Sequence, residues 1–310
     1  MKKIVNYLKE QWKENFHPLY YALAAIWLII LLVINFKFGF RRTYLLPLEG
    51  FTKVFAYFTF YAVGYLFTLL LLSFCKHKFA FWKDKFFWLK FLIGIFVLSF
   101  DSAVPFLSRF ISQHFDNQIY LWLYKVSVNG MSLFTILLPL LLLYYLIDKK
   151  DQNRYGIQSK NIDLKMYWLL LAIMVPLVIS ASFLPSFQKQ YPMFKSGTAH
   201  EYLNIPFWIT VVIYEIAYAF DFVTVEFLFR GFFVIGFVKL LGRDAILPMA
   251  VIYCQLHFGK PLGEAISSIF GGYILGVISY QTKNIWGGVL VHIGIAWLME
   301  LAGFFQKYVF

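Results

Sequence analysis

Residues 206–240 read PFWITVVIYEIAYAFDFVTVEFLFRGFFVIGFVKL, an apolar run that carries Glu215, Asp221, Glu226 and Arg230. Extended to Leu241, this run would reach about 54 Å as straight helix at about 1.5 Å per residue, against a hydrocarbon core of about 30 Å. It must therefore break near 221–231 or emerge in part at the cytoplasmic side. Glu226 and Arg230 are four apart, so on a helix they share a face and can pair. Glu215 lies three turns before Glu226 on nearly the same face.

Outward from this run the chain repeats the pattern. Of 310 residues, 61% are hydrophobic and only 14% charged, against about 25% charged in soluble domains, and the mean hydropathy is +0.68. Spanning-length apolar segments fall near 19–36, 54–75, 86–106, 120–147, 166–184, 206–240, 245–258, 262–281 and 284–305, the last four being the hardest to count. A transmembrane barrel would show short alternating segments instead. The expected fold is all-α, a polytopic transmembrane helical bundle of about eight membrane segments with a polar site in its C-terminal half. An aromatic content of 22%, with 37 Phe, suits lipid-facing and interfacial surface.

The net charge of +12 comes from Lys and Arg in short loops between apolar runs, a distribution that reads as topology and not as a nucleic-acid surface. Lysines 2, 3, 9 and 13, those of the 76–90 loop and the basic residues of 148–165 set the N-terminus and these loops in the cytoplasm of a multi-pass bacterial inner-membrane protein. The loop holding Lys37, Arg41, Arg42 and Lys53 disagrees with that scheme. The first apolar run lacks a small-residue cleavage site and is expected to be an uncleaved anchor. Cys75 and Cys254 have no partner spacing and predict neither a disulfide framework nor a thiolate metal site.

The polar stretch Asp148–Lys165 resembles a linker. It divides an N-terminal set of about four transmembrane helices, 1–150, from a C-terminal domain, 151–310, that holds the intramembrane ionisable groups. These are Glu226 and Arg230 with His257 in YCQLHFGKP and His292 in VLVHIGIAW. Ionisable residues at membrane depth are costly and point to function by default. Only a bundle interior brings His257 and His292 to Glu226. Each histidine has the plainer explanation of a hydrogen bond to a neighbouring carbonyl, and Glu226 with Arg230 that of an ion pair locking helices.

The order VEFLFRG (225–231), YCQLH (253–257), VHIGIA (291–296) resembles the CPBP family of intramembrane proteases, which includes the CAAX prenyl endopeptidases and the bacteriocin-processing and self-immunity proteins. The pattern is similar to its EExxxR, FxxxH and HxxxN motifs, over roughly residues 155–305. The resemblance implies a membrane-embedded endopeptidase that hydrolyses a peptide bond of a membrane-delivered protein or peptide with a Glu/His-activated water. Glu226 falls on the second glutamate of the first motif, Arg230 on its arginine, and His257 and His292 on the two motif histidines. Should a divalent metal such as zinc take part, Glu226, His257 and His292 match a His2Glu set.

Three positions depart from the family pattern. Val225 stands where the water-activating glutamate is expected, Ala296 where the asparagine is, and Tyr253, a conservative exchange, where the phenylalanine is. Losing an oxyanion donor costs about 10²- to 10³-fold in rate. Glu226 itself, Glu264 in HFGKPLGE, or Glu215 would have to serve as base; Glu264 has the alternative reading of a helix N-terminal acid favoured by the dipole. A second reading is a catalytically inactive member that acts as a membrane scaffold or immunity-type binding protein. A third, a carrier with a proton relay, lacks the repeated half often seen in such proteins. Membrane lipid and a protein or peptide substrate are the expected partners. Convergence on one water site separates hydrolysis from a path across the bilayer.

Overall fold

The structure, a computed structural model, describes residues 2–151, 153–158 and 163–308. Its helices are α1 (Lys2–Asn15), α2 (Pro18–Phe38), α3 (Gly50–Lys76), α4 (Lys85–Ala103), α5 (Leu107–His114), α6 (Asn117–Ser132), α7 (Leu138–Leu143), α8 (Lys165–Ser182), α9 (Pro185–Gln190), α10 (Ala199–Tyr202), α11 (Phe207–Glu226), α12 (Val238–Leu241), α13 (Ile246–Leu256), α14 (Leu262–Thr282) and α15 (Trp286–Tyr308). Among the described residues there is no strand. Seven stretches are long and apolar enough to cross a membrane: 18–38, 50–76, 85–114, 117–148, 165–182, 262–282 and 286–308. With α11 as a further 20-residue apolar helix, the all-α multi-pass bundle expected from the sequence is what the chain forms. The 245–258 segment is instead the 11-residue α13, about 16 Å long, and so ends inside the bundle.

Chain breaks within the apolar runs carry the site. α11 ends at Glu226 and passes into a π-helical turn, Phe227–Phe232, which holds Arg230. The 206–241 run therefore breaks within the interval its length demanded. Wide turns of this kind recur at functional positions. α13 stops at His257, where a single 3-10 turn, His257–Gly259, leads through Pro261 into α14.

Lipid-facing and core-facing residues separate cleanly. Phe74, Phe134, Leu146 and Phe270 are exposed on the outside of the bundle, whereas Tyr65, Leu69, Phe87, Ile95, Phe227, Phe229, Phe232, Phe233, Met249 and Val277 form one core through both halves of the chain. α13 packs on α14 and α3, α15 on α8 and α11, and α11 on α6.

The stretch read as a linker is built into this core. Tyr155 is 2% exposed and its hydroxyl donates to Asp148 Oδ2 at 2.5 Å. Lys90 Nζ, also buried, lies 2.6 Å from that carboxylate oxygen and donates to the Gly236 carbonyl at 2.7 Å. The Gly156 carbonyl accepts from the Ile285 amide, and the Trp286 indole donates to the Ile157 carbonyl. This network fixes both the chain following Arg230 and the start of α15. The remaining part of that stretch, residues 159–162 and residue 152, lies outside the described residues.

Basic segments that the charge pattern groups together do gather. Lys76 and Lys78 both reach the buried Asp244, at 2.7 and 2.6 Å, and Arg243 pairs with Glu10 and Glu14 of α1. Lys3 pairs with Asp163. Arg41, from the discordant loop, instead reaches the turn after His257, where a Cβ at Gly259 would meet its guanidinium at 2.4 Å. Its basic loop is thus partly a packing element. Asp244→Ala is expected to cost about 1.5–3 kcal/mol by stranding charged donors, read as a lower thermal midpoint in detergent.

Candidate active site

Glu226 and Arg230 are both fully buried. Arg230 Nη1 lies 2.8 Å from Glu226 Oε1, and the guanidinium carbon sits 4.2 Å from the centre of the Tyr253 ring. A cation over an aromatic face is attracted by the ring's electron density. The approach to Glu226 is an ion contact off the hydrogen-bond direction, so Nε, Nη1 and Nη2 of Arg230 have no hydrogen-bond partner. The charge is held chiefly by the carboxylate and the ring.

His292, nearly two turns into α15, brings Nδ1 to 3.0 Å from the same Glu226 Oε1. Its Nε2 lies 3.1 Å from the Tyr253 hydroxyl, and Phe222 stacks beside its ring at 4.4 Å. An ionised carboxylate only accepts hydrogen bonds. Nδ1 of His292 therefore carries the proton, and in the neutral imidazole Nε2 accepts from the Tyr253 hydroxyl. His257 is fixed likewise: its Nδ1 lies 2.8 Å from the Tyr253 carbonyl, so Nδ1 donates and Nε2 keeps its lone pair. The Tyr253 and His257 rings are 4.7 Å apart.

Two helices make this contact possible through a glycine. Gly288 lies one turn before His292, and a Cβ there would fall 2.2 Å from Glu226 Oε2. That oxygen has no hydrogen-bond partner and is packed directly on the α15 backbone. Gly288→Ala should push the carboxylate off His292 and lower any activity of the site by about 10-fold or more, with far-UV circular dichroism unchanged.

The structure thus brings Glu226, Arg230 and His292 together around Tyr253, with His257 against the same tyrosine. Glu264 stands apart. Its Oε2 accepts from the Tyr191 hydroxyl at 3.0 Å and its Oε1 lies 3.7 Å from Lys260; no hydrogen bond joins it to either histidine. Glu215 does not join the cluster either, its Oε2 being buried without a partner. Val225 is buried against the apolar core, and Ala296 packs between Tyr214 and Tyr218.

Beside the cluster the chain at 191–194 is strapped into the bundle. Glu300 accepts from the amides of Met193 and Phe194 at 2.7 and 3.1 Å, and Lys260 donates to the Tyr191 hydroxyl. The sequence marks Tyr253 as a conservative exchange and assigns no role to it, to Gly288 or to Glu300. The i, i+4 spacing of Tyr253 to His257 and of Gly288 to His292 was the available signal.

Residues 204–298 match the family model described as type II CAAX prenyl endopeptidase Rce1-like. This region is similar to that family. The match spans under a third of the chain and includes Glu226, Arg230, Tyr253, His257 and His292, and it bears out the resemblance read from the motifs. No curated protein and no solved structure matches the chain. In this region Glu226, His257 and His292 are a chemically suitable donor set for zinc, but the donor atoms of Glu226 and His292 are otherwise occupied. Glu226 Oε1 meets Arg230 and His292, Glu226 Oε2 abuts Gly288, and His292 Nε2 faces a hydroxyl. Among the described residues no three His, Cys, Asp or Glu side chains are grouped to hold a metal ion.

Proposed function

We propose that this protein is an intramembrane endopeptidase that hydrolyses a peptide bond in a membrane-delivered protein or peptide. The observation that carries the reading is the convergence of Glu226, His292, Tyr253 and His257 within the Rce1-like region. A carrier would string such groups along a path.

Roles follow from the partners of each atom. Glu226 Oε1 is shared by Arg230 and His292, and its unpartnered Oε2 is shut against the Gly288 backbone, so it positions His292 and does not act as the base. His257 is the general base: its Nδ1–H is anchored on a backbone carbonyl and Nε2 is left to accept a proton. It takes the water proton as hydroxide adds to the scissile carbonyl, then returns it to the departing amine. Arg230 holds Tyr253 and Glu226 in register. Glu264, linked to Lys260 and Tyr191, shapes the approach to His257. The contacts that gather Lys3, Lys76, Lys78 and Arg243 support a cytoplasmic N-terminus. The substrate arrives through the lipid.

The test is hydrolysis of a fluorogenic peptide library by purified protein reconstituted in lipid. Cleavage by the wild type, lost in His257→Ala and reduced by less than about 10-fold in Glu264→Ala, supports the assignment. Chelator is expected to leave the rate unchanged, because Glu226 and His292, two of the three candidate donors, are engaged elsewhere. Buried aliphatic residues at 225 and 296 favour a second reading, a binding scaffold; a wild type as silent as folded His257→Ala would establish it over the protease.

A further inference from the structure

The water that attacks the substrate needs two acceptors, one for each hydrogen, if its lone pair is to face the carbonyl. His257 Nε2 is one. The position at which a second carboxylate is expected holds Val225, buried and without a polar atom. Tyr253 is the residue whose position answers this need. It neighbours both imidazoles, its ring 4.7 Å from that of His257 and 6.0 Å from that of His292.

The direction of the hydrogen bonds decides what its hydroxyl does. Glu226 requires the proton on His292 Nδ1; in the neutral imidazole Nε2 is then the acceptor and the Tyr253 hydroxyl the donor. The phenolic oxygen then has its lone pairs free on the side away from His292. This carboxylate–imidazole–hydroxyl chain has the connectivity by which a hydroxyl is activated for proton transfer. Arg230 lies against the ring face and holds the ring in place.

We propose that Tyr253 is a catalytic residue, the second acceptor for the nucleophilic water, with Glu226 and His292 as its positioning residues. The inference rests on the endopeptidase reading. One water hydrogen goes as a proton to His257 Nε2 while the oxygen bonds to the carbonyl carbon; the other stays hydrogen-bonded to the Tyr253 oxygen, whose own hydrogen leans to His292 Nε2. When the C–N bond breaks, His257 returns its proton to the amine nitrogen. The acid product then releases the remaining hydrogen to solvent as it leaves as a carboxylate. An exchange of phenylalanine for tyrosine that reads as conservative in the sequence thereby supplies an oxygen which Val225 cannot.

Tyr253→Phe tests this, since it deletes one oxygen and keeps the ring beneath Arg230. In wild type, Tyr253→Phe and His257→Ala, kcat and KM are measured on one cleaved peptide, and 15N-histidine spectra of lipid-reconstituted wild type and Tyr253→Phe are compared. The expected result is a fall in kcat of about 10²-fold with KM unchanged, and a shift of the His292 Nε2 resonance with Nδ1 still protonated. An active wild type with an equally active Tyr253→Phe, or an unmoved Nε2 resonance, overturns the inference alone. A silent wild type overturns the endopeptidase reading and this inference with it.

Discussion

Glu226→Ala is expected to destabilise the folded chain by about 3–5 kcal/mol, the largest stability effect of any single change in the site. The cost lies in what is left behind. Arg230 is 0% exposed, and no hydrogen bond takes up its three nitrogens, so removal of the carboxylate strands a buried cation against the Tyr253 ring. The matched double change Glu226→Gln with Arg230→Met should recover most of the loss, because replacing both members of a buried pair by uncharged groups of similar volume is often close to neutral. Unfolding monitored in a fixed detergent over a denaturant series measures both. Equal losses in the single and double variants would show that packing volume, not uncompensated charge, sets the cost.

His257→Ala is expected to lower peptide hydrolysis by about 10²- to 10⁴-fold, the range for a positioned general base. The effect should appear in kcat with the thermal midpoint little changed. His257 is partly exposed at the end of α13, and its one hydrogen bond is to the carbonyl of Tyr253 within the same helix. A fall in KM-derived affinity with kcat preserved would instead give His257 a substrate-binding role.

The fold was legible where it depends on composition. Runs of about 20 apolar residues can only be satisfied as helices in lipid, and α2, α3, α8, α14 and α15 fall close to the segments read from the chain. Segment 206–240 was legible in a different way: its length alone demanded a break, and α11 does stop at Glu226. What composition could not reveal was how polar segments pack. The Asp148–Lys165 stretch is as hydrophilic as a linker, yet Tyr155 and Asp148 pair with Lys90 inside the bundle. Hydropathy counts charges singly and is blind to a partner that arrives from 58 residues away (148 − 90 = 58).

The site was legible as a set of residues and not as a set of roles. Glu226, Arg230, His257 and His292 stand out because ionisable groups are rare in such segments. Their partners do not: Tyr253 is one of 21 tyrosines and Gly288 one of 19 glycines, ordinary in an aromatic membrane helix. Only three-dimensional placement distinguishes a hydroxyl that meets His292 Nε2 from one facing lipid. Glu264 shows the converse. Seven residues after His257 in sequence, it turns to Tyr191 and Lys260 on the far side of the 3-10 turn.

The close contacts across the two halves bear on how small a working unit can be. A Cβ at Gly94 of α4 would meet the Phe232 ring at 2.5 Å, and one at Gly64 of α3 would fall 2.0 Å from the Gln255 amide oxygen. A Cβ at Gly287 would overlap the ring of Tyr167 in α8. Residues 204–298 therefore owe their shape to surfaces outside their own borders. Excised, that stretch would expose the faces that α3, α4 and α8 now cover, and the π turn bearing Arg230 would lose the wall that sets its curvature. α3, α4 and α8 are in this sense a mould for the stretch 204–298, and changes among the small residues at these contacts should be felt at His292 without touching it.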